Sequence, residues 1–244
     1  MTVLAIIPAR FQSSRFPGKM LANISGKSLI QRTYESSRLC TFIDKLVVAT
    51  DDVRIYDHVK GFGGEVVMTS LSCINGTYRT VDALNRYPEL HSYSIILTIQ
   101  GDRPCIPSNS IEEVIKALKN NPNDVMATPV VKIEDPEEIK NPASVKCVLD
   151  KNGYALYFSR SPIPHSPTKA PYYKHIGLYG FRKDFLLEYA ALPDTPLQLL
   201  EDLEQLKVLE HGYRIKTVEI QDVDLSVDLL EDITKVEQYL CRKK

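Results

Sequence analysis

Short apolar runs alternate with amphipathic stretches along the first half of the chain. Four runs are rich in Val and Ile and end in polar or turn residues, as buried strands do: VLAIIPA, KLVVATDD, EVVMTS and SIILTIQGD. Helical spacing follows in SLIQRTYESSRL, VRIYDHVKGFG, TVDALNRY and SIEEVIKALKNN. This βαβα order predicts an α/β fold with a mostly parallel sheet and helices on both faces.

The pattern changes near Val145. The segment SVKCVLDKNGYALYFSRSPIP predicts a β-hairpin with KNG as its turn. We interpret positions 145–182 as an inserted β-rich, antiparallel lobe within a single domain that covers residues 1–244. One helix over LQLLEDLEQLKVLEHG, a strand over RIKTVEI and a last helix from about Leu230 complete the predicted order.

Composition and cysteine usage exclude several classes of protein. The chain of 244 residues is 43% hydrophobic and 25% charged, with a net charge of -1, so no global field favours nucleic acid or an anionic membrane. Five scattered cysteines without a CxxC pair argue against a zinc site or a disulfide framework. The N-terminal MTVLAIIPAR lacks a basic region, and no run reaches the ~18 apolar residues of a membrane span. We therefore expect a cytoplasmic protein without membrane insertion or nucleic-acid partners.

The charge is unevenly distributed near the N-terminus. Residues 1–34 contain no Asp or Glu, but they contain Arg10, Arg15, Lys19, Lys27 and Arg32. A local basic region in a neutral protein indicates a small anionic ligand rather than a polyanion.

Two stretches of this region resemble phosphate-binding loops. SGKS, at residues 25–28, would need its first P-loop glycine at position 21, where Leu21 stands, so we interpret it as a helix start capped by Ser25 or Ser28. ARFQSSRFPGK, the basic loop of residues 9–19, directly follows the first strand. It offers backbone amides and charge-assisted donors to phosphate oxygens. The alternative is a solvated basic turn, but no local acid neutralises its three cations.

Ligands of open α/β sheets bind beyond the carboxyl ends of the strands. The polar residues at these ends are Arg10, Asp51, Asp52, Gln100 and Asp102. Asp102 could reach a hard cation held by substrate phosphates, or could simply begin a turn before Pro104. Asp228 lies at another strand-to-helix junction, where it could equally be an N-cap with Glu231 completing a capping box. The two carboxylates form a site only if the fold brings them together, which spacing cannot show.

Four further polar positions have ordinary structural interpretations. His175 lies in a β-like stretch, where a histidine is more often a hydrogen-bonding structural residue than a catalyst. Glu201, Glu204 and Gln205 fall on the predicted helix, where such residues usually mark a solvated face.

A series of separated motifs resembles the CMP-Kdo synthetases, the 3-deoxy-manno-octulosonate cytidylyltransferases. In order, they are IPARFQSSRFPGK, VVATDD, NGTYR, IQGD, ALYFSRSPIP, HIGLYGF, LEDLEQLKVLEHG and SVDLLEDI. The resemblance runs from about Val3 to Tyr239. SSRFPGK together with FSRSPIP favours the Kdo branch over the sialic-acid-activating relatives, which share the opening IPAR.

The resemblance implies a fold and a reaction. The fold would be the Rossmann-like α/β nucleotide-diphospho-sugar transferase fold, a mixed and mostly parallel sheet with a small antiparallel dimerisation lobe. The protein would be a homodimer that couples CTP to Kdo or a related 2-keto sugar acid, with Mg²⁺ as cofactor. The products would be the CMP-sugar and pyrophosphate, for lipopolysaccharide or capsule assembly.

Site residues follow from the same resemblance, position by position. Catalysis would rest on Arg15, Lys19, Asp102 and Asp228, of which Asp102 and Asp228 would bind the metal. The nucleotide would be bound by Arg10, Ser13, Arg15, Lys19, Arg79 and Gln100. The sugar acid would be bound by Gln100, Arg160, His175, Glu204 and Gln205.

Four positions depart from the family pattern, namely Tyr78, Arg103, Gln198 and Leu229. Tyr78 removes a carboxylate beside Arg79, and Arg103 reverses a charge beside Asp102. A modified Kdo such as 8-amino-Kdo, or another sugar acid, therefore stays open as the substrate. A degenerate, non-catalytic nucleotide-binding homologue is the other alternative, and the retention of the four catalytic matches argues against it.

Overall fold

Seven consecutive residues that are almost all aliphatic form the first strand, β1 (Val3–Ala9), and all seven are buried. The computed structural model describes residues 1–13, 16–166, 171–221 and 225–242. The chain divides into two compact units, one of Met1–Glu112 with Val223–Lys244 and the other of Glu113–Asp222.

The elements follow in chain order. The remaining strands are β2 (Asn23–Ile24), β3 (Lys27–Ser28), β4 (Lys45–Thr50), β5 (Val66–Met68), β6 (Ile95–Ile99), β7 (Met126–Lys132), β8 (Lys146–Leu149), β9 (Ala155–Ser159), β10 (Tyr173–His175), β11 (Leu178–Arg182) and β12 (Ile215–Ile220). The helices are α1 (Leu29–Arg38), α2 (Val53–Gly61), α3 (Gly76–Arg86), α4 (Ser108–Asn120), α5 (Pro136–Lys140), α6 (Lys183–Ala191), α7 (Pro196–Glu201), α8 (Glu204–Glu210) and α9 (Asp232–Arg242).

The sheet of the first unit is parallel, in the order β5–β4–β1–β6. The middle strand β1 pairs with both neighbours, so that Ile6 lies opposite Val47 on one side and Thr98 on the other. A strand buried on both faces needs an uninterrupted apolar run, which explains the composition of VLAIIPA. Because the strands are parallel, the residues that follow β1, β4 and β6 come out at one edge of the sheet.

Polar residues between strands and helices cap the helices of this unit. The side chain of Ser28 accepts a hydrogen bond from the Gln31 amide at the start of α1. Asp52 does the same for α2, and Asn75 for α3. Each cap satisfies an amide that the first helical turn leaves without an intrahelical partner. Ser28 is one of the two caps predicted for SGKS, which therefore begins a helix.

The second unit is built around β7. Residues 126–131 of β7 pair in parallel with β12, while β11 and β10 pair antiparallel with its first and last residues. The sheet continues antiparallel through β8 to β9. The predicted hairpin of SVKCVLDKNGYALYFS is confirmed as β8 and β9, and the predicted α/β class is confirmed.

The predicted helix over LQLLEDLEQLKVLEHG is wrong in one respect. It forms two helices, α7 and α8, separated at Asp202, whose φ of 52° is left-handed. Aspartate tolerates this conformation better than most residues, but the sequence spacing of leucines continues through the break and gives no sign of it.

Candidate active site

The basic loop leads from β1 to a lysine held against an acidic residue. Lys19 Nζ donates to Asp102 Oδ2 at 2.7 Å and to the carbonyl oxygen of Val227 at 3.1 Å. The side chain of Lys19 is only 11% exposed, and that of Asp102 is 23% exposed. The ammonium is therefore fixed at the carboxyl end of β6, where the sheet edge exposes its ligand-binding positions.

The fold brings the two candidate metal-binding segments together. The amide of Val227 donates to the carbonyl oxygen of Asp102 at 2.9 Å, which places Asp228 one residue from this bond. The amide of Asp228 in turn donates to Asp232 Oδ2 at 3.1 Å. The side chain that accepts from the Asp228 amide is thus Asp232. The capping-box alternative had assigned this acceptor role to Glu231.

An apolar cluster fixes this arrangement from below. Val227 is fully buried with Ile24, Leu29, Cys105 and Val236, and Phe16 of the basic loop packs against the same cluster. Deleting a buried aliphatic side chain of this kind costs about 2–5 kcal/mol. The acidic segment and the basic loop therefore share one anchor.

The donor set fits a hard cation of the magnesium type. Magnesium is usually bound by one or two carboxylates together with waters and substrate phosphates. Among the described residues, no group of three or more His, Cys, Asp or Glu is placed to hold a metal ion. Asp102 and Asp228 could therefore hold magnesium jointly with a phosphorylated ligand, but they do not form a closed protein cage.

Two neighbouring aspartates at the end of β4 each hold a different arginine. Arg79, 3% exposed, donates from Nη2 to Asp51 Oδ2 at 2.7 Å and from Nη1 to Thr69 Oγ1 at 2.6 Å. Asp52 binds Arg54 in a bidentate pair, with distances of 2.9 Å to Nε and 2.6 Å to Nη2. These hydrogen bonds from the Arg54 side chain hold the pKa of Asp52 below its ordinary value.

Gln100 lies where β6 approaches the start of α3. A methyl group at Gly76 would come within 3.1 Å of Gln100 Nε2 and 3.0 Å of the Pro8 side chain, so a larger residue there would require these side chains to shift. The side-chain amide of Gln100 is consequently held beside the helix that carries Arg79.

A cavity of about 150 Å³ opens between the basic loop, the end of β4 and the 70–75 loop. The cavity is lined by Arg10, Phe11, Gln12, Asp51, Asp52, Arg54, Leu71, Cys73 and Arg79. Arg10 is exposed, and Ser13 Oγ accepts a hydrogen bond from the Phe16 amide at 3.4 Å. Arg15 lies outside the described residues.

In the second unit, Arg160 is held by backbone carbonyls. Nε donates to Glu201 O at 2.9 Å, Nη1 to Pro142 O at 3.2 Å and Nη2 to Asp202 O at 3.2 Å. A guanidinium carries five N–H groups, so these three bonds leave two for a ligand. The left-handed conformation of Asp202 directs two successive carbonyl oxygens, those of Glu201 and Asp202, at Arg160.

Glu201 organises the same segment from the end of α7. Its carboxylate accepts hydrogen bonds from Ser159 Oγ at 2.6 Å and from the Arg160 amide at 2.9 Å. Burial alone would raise the pKa of Glu201, but these hydrogen bonds and the charge of Arg160 together lower it. The solvated face expected for Glu201 is therefore wrong, because this carboxylate is a structural acceptor.

His175 and Gln205 are linked through one tyrosine. The ring of His175 stacks on Tyr179 with centroids 5.3 Å apart, and His175 Nε2 lies 2.9 Å from Thr128 Oγ1. Tyr179 donates its O–H to Gln205 Oε1 at 3.1 Å. Gln205 is 2% exposed, and within the described residues its buried Nε2 has no hydrogen-bond partner. A buried amide donor left in this way is costly, so Gln205 Nε2 is a candidate to bind an acceptor atom of a ligand or a water.

The structure thus gathers the site residues into two sets. The first unit holds Lys19, Asp102 and Asp228 around one junction, with Arg79 and Gln100 along the same sheet edge. The second unit holds Arg160 beside Glu201, His175 with Gln205, and the half-buried Glu204 at the start of α8.

Two residues that contact candidate site residues were not identified as such from the sequence. Arg54 and Glu201 act through carboxylate pairs and backbone contacts that only the tertiary structure reveals. The two aspartates at the end of VVATDD were the sequence feature from which a role of Arg54 could have been predicted, because a carboxylate at a strand end needs a hydrogen-bonding partner.

The first unit presents a lysine, two acidic segments and a basic loop at the carboxyl edge of a parallel sheet. A sequence model of the family described as Cytidylyltransferase matches residues 4–218 of the chain. The chain belongs to the cytidylyltransferase family. Within the described residues of this cytidylyltransferase, no helix combines the length and the apolar character that a bilayer crossing requires.

Similar proteins match this cytidylyltransferase over nearly its full length. A 3-deoxy-manno-octulosonate cytidylyltransferase of Protochlamydia amoebophila is 50% identical, covering 99% of this chain and 95% of that protein. The protein of the same name from Chlamydia trachomatis serovar L2 is 53% identical, with coverages of 97% and 93%.

Solved structures give the same result for the fold. A CMP:2-keto-3-deoxy-manno-octonic acid synthetase complexed with CTP superposes with a TM-score of 0.93 at 35% identity, covering all of both chains. A 4-diphosphocytidyl-2C-methyl-D-erythritol synthase from Anaerococcus prevotii gives a TM-score of 0.65 at 18% identity, with coverages of 99% and 96%. The latter likeness concerns the fold alone.

Proposed function

We propose that this cytidylyltransferase couples CTP to 3-deoxy-manno-octulosonate, forming CMP-Kdo and releasing pyrophosphate. The observation that carries the proposal is the junction of Lys19 with the Asp102 and Asp228 segments, at the end of the loop that follows β1. A fixed cation beside two acidic segments suits a nucleoside triphosphate with its counter-ion. The names of the relatives at 50% and 53% identity support Kdo as the acceptor.

The chemistry is an in-line substitution at phosphorus. The anomeric hydroxyl of the sugar acid loses its proton to solvent and attacks the α-phosphorus of CTP. The new O–P bond forms while the bond from the α-phosphorus to the bridging oxygen breaks, and that oxygen leaves with pyrophosphate. Arg10, Arg15 and Lys19 would hold the phosphates and stabilise the charge that develops on pyrophosphate. Ser13 would add a hydroxyl, and Arg79 and Gln100 would orient the nucleoside.

Magnesium is the proposed cofactor. Asp102 and Asp228 would hold it, in keeping with the preference of this ion for carboxylate oxygens and substrate phosphates. When bound, the ion would neutralise negative charge on the phosphate oxygens. Lys19 would then exchange Asp102 for a phosphate oxygen, because its ammonium can be satisfied by either partner.

The sugar acid would be bound by the second set of residues. The two remaining N–H groups of Arg160 suit a carboxylate, and the buried Nε2 of Gln205 suits a carboxylate or hydroxyl oxygen. His175 and Glu204 would contact sugar hydroxyls. Holding the sugar acid and CTP, both anions, in the correct orientation for attack is most of what such a transfer requires of the protein.

A homodimer is part of the proposal. Leu156 on β9 is 59% exposed, and Leu199 and Leu200 on α7 are 66% and 80% exposed. Covering these apolar side chains with a second copy would remove them from water. Light scattering should report a dimer for the protein and a shift to monomer for Leu200→Glu; a monomeric parent protein would overturn this part.

The cellular setting follows from the same reaction. The five cysteines are scattered and include no CxxC pair, which agrees with a reducing compartment, and we assign the protein to the cytoplasm. CMP-Kdo made there would supply lipopolysaccharide or capsule assembly.

Pyrophosphate release tests the proposal. CTP and magnesium are offered with Kdo, 8-amino-Kdo or N-acetylneuraminate, and ATP, GTP and UTP replace CTP as controls. We expect turnover with CTP and Kdo. Turnover only with another acid would keep the reaction and correct the substrate. CTP binding without turnover on any acid would identify a non-catalytic homologue instead.

A further inference from the structure

The guanidinium of Arg54 stacks on an aromatic ring of the basic loop. The Arg54 Cζ lies 3.3 Å from the centroid of the Phe11 ring. Phe11 is the second residue after β1, and both side chains line the cavity beside Asp51 and Arg79. A cation over an aromatic face is attractive even at a partly exposed site.

Arg54 is fixed from below by the cap of its own helix. The Asp52 carboxylate accepts from the Arg54 amide at 2.9 Å, from Nε at 2.9 Å and from Nη2 at 2.6 Å. Such a bidentate pair sets the plane of the guanidinium as well as its position. The guanidinium of Arg54 is therefore held at the junction of β4 and α2 by Asp52. Its position does not depend on the basic loop.

Phe11 also ties the two ends of the loop together. Its carbonyl oxygen accepts from the Gly18 amide at 3.0 Å. Gly18 has a φ of 71°, and a methyl group there would lie 3.2 Å from Phe11 Cζ. The next residue is Lys19, whose Nζ contacts Asp102. The position of Phe11 is thus coupled to the residue that presents the lysine.

We propose that Arg54 is a positioning residue for the basic loop, acting through Phe11 to hold residues 9–13 and 16–19 in the positions that receive the triphosphate of CTP. The inference rests on the proposed function in one respect, namely that the loop binds CTP. Asp52 already satisfies the charge of Arg54, and the Phe11 ring covers one face of its guanidinium. Its contribution to binding is therefore made before the ligand arrives, as pre-organisation of the loop.

A double-mutant cycle separates this role from direct contact with the nucleotide. CTP affinity is measured by isothermal titration calorimetry for the parent, Arg54→Met, Phe11→Leu and the double variant. We expect each single change to weaken CTP binding about three- to tenfold, and the double variant to be no weaker than the poorer single variant. Phe11→Tyr, which keeps the ring, should bind as the parent does.

Arg86→Met is the matched control. Arg86 is an exposed arginine of the same unit with its own carboxylate pair, to Asp82 at 2.7 Å, and it should leave CTP affinity unchanged. Circular dichroism and thermal unfolding establish that each variant folds. Multiplying effects in the double variant would assign Arg54 to direct nucleotide contact, and an unchanged affinity in Arg54→Met would remove it from the site; either result overturns the proposal. The titration needs no sugar acid, so its outcome is independent of which acid the protein uses.

Discussion

The amide of Val227 donates a hydrogen bond of 2.9 Å to the carbonyl oxygen of Asp102, and this bond joins two acidic segments that are far apart in the sequence. Val227 is fully buried, so its own side chain anchors this segment within the first unit. The bond carries no charge itself, but it sets the distance between the backbones from which Asp102 and Asp228 extend. A candidate metal site is thereby built on an apolar anchor.

Asp228→Asn should raise the magnesium concentration needed for half-maximal activity by about tenfold or more, since it replaces a charged oxygen ligand with a neutral one. The measurement is a magnesium titration of pyrophosphate release at saturating CTP and Kdo. Asp232→Asn is the matched control, because Asp232 accepts from the Asp228 and Leu229 amides and from Lys235. Asp232→Asn should lower the stability of the protein and leave the magnesium concentration for half-maximal activity unchanged. Equal midpoints for Asp228→Asn and the parent would contradict the assignment.

Lys19→Met should lower kcat/KM for CTP by about 10²–10³-fold, the usual effect of removing one pre-organised charge from developing negative charge. Lys19 is nearly buried and is held in place before the ligand arrives, so no other side chain can easily replace it. Steady-state pyrophosphate release checks the value. Lys27→Met serves as the control, since Lys27 is exposed and pairs with Glu35 on the surface. Comparable losses in both variants would show that the effect is not specific to the loop lysine.

Asp51→Asn should destabilise the protein by about 3–5 kcal/mol, because it leaves the charge of a buried arginine without its partner. Arg79 is 3% exposed, and its main charged contact is Asp51 at 2.7 Å. Urea unfolding gives the free energy. Glu35→Gln breaks an exposed pair and should change stability by only about 0–1 kcal/mol. A similarly small loss of unfolding free energy in Asp51→Asn and Glu35→Gln would mean that burial of the Arg79 charge does not depend on Asp51.

Tyr78→Glu should change KM for CTP by less than about twofold. The resemblance to CMP-Kdo synthetases suggested that this position lacks a carboxylate needed to orient Arg79, but Asp51 already supplies one. Initial rates over a range of CTP concentrations provide the test, with Arg103→Glu measured alongside. A large gain in CTP affinity from Tyr78→Glu would show that Asp51 orients Arg79 incompletely.

The sequence was sufficient where one pattern dominates. The seven residues of β1 and the hairpin of β8 and β9 were predicted because burial of an uninterrupted apolar run and a KNG turn each leave few alternatives. The break at Asp202 was not predicted, because leucines recur at helical spacing on both sides of it. A left-handed residue costs roughly 1–2 kcal/mol, and the compensation comes from Arg160, which is distant in sequence.

The candidate site shows the same division. Residue types and strand ends indicated Lys19, Asp102 and Asp51, because these follow core strands or their loops. Which carboxylate holds which cation could not be predicted, since Asp51–Arg79 and Lys19–Asp102 are pairs set by the packing of α3 and of the segment at Val227. The resemblance to CMP-Kdo synthetases assigned roles to residues, but the partners came from the tertiary structure.

Glu201→Gln should reduce stability in a pH-dependent way. The pKa of Glu201 is lowered in the folded protein, where burial opposes ionisation but hydrogen bonds from Ser159 and Arg160 outweigh it. A group with a lowered folded pKa contributes stability at pH values above its unfolded pKa of about 4.3. This contribution is lost as the pH falls through the folded pKa. The stability difference between parent and variant should therefore be complete at neutral pH.

Urea unfolding of both proteins at a series of pH values measures this difference. Glutamine keeps the size of the side chain but replaces one of the two accepting oxygens with a donor, so a loss at neutral pH reports the ionised carboxylate and its hydrogen bonds rather than a cavity. We expect the two free energies to converge as the pH falls from about 4.3, where the carboxylate is half protonated in the unfolded chain, through the lower pKa of the folded protein. A difference that stays constant to the lowest measurable pH would contradict this account, because it would mean that Glu201 stabilises the Arg160 segment through its shape and not through its ionised form.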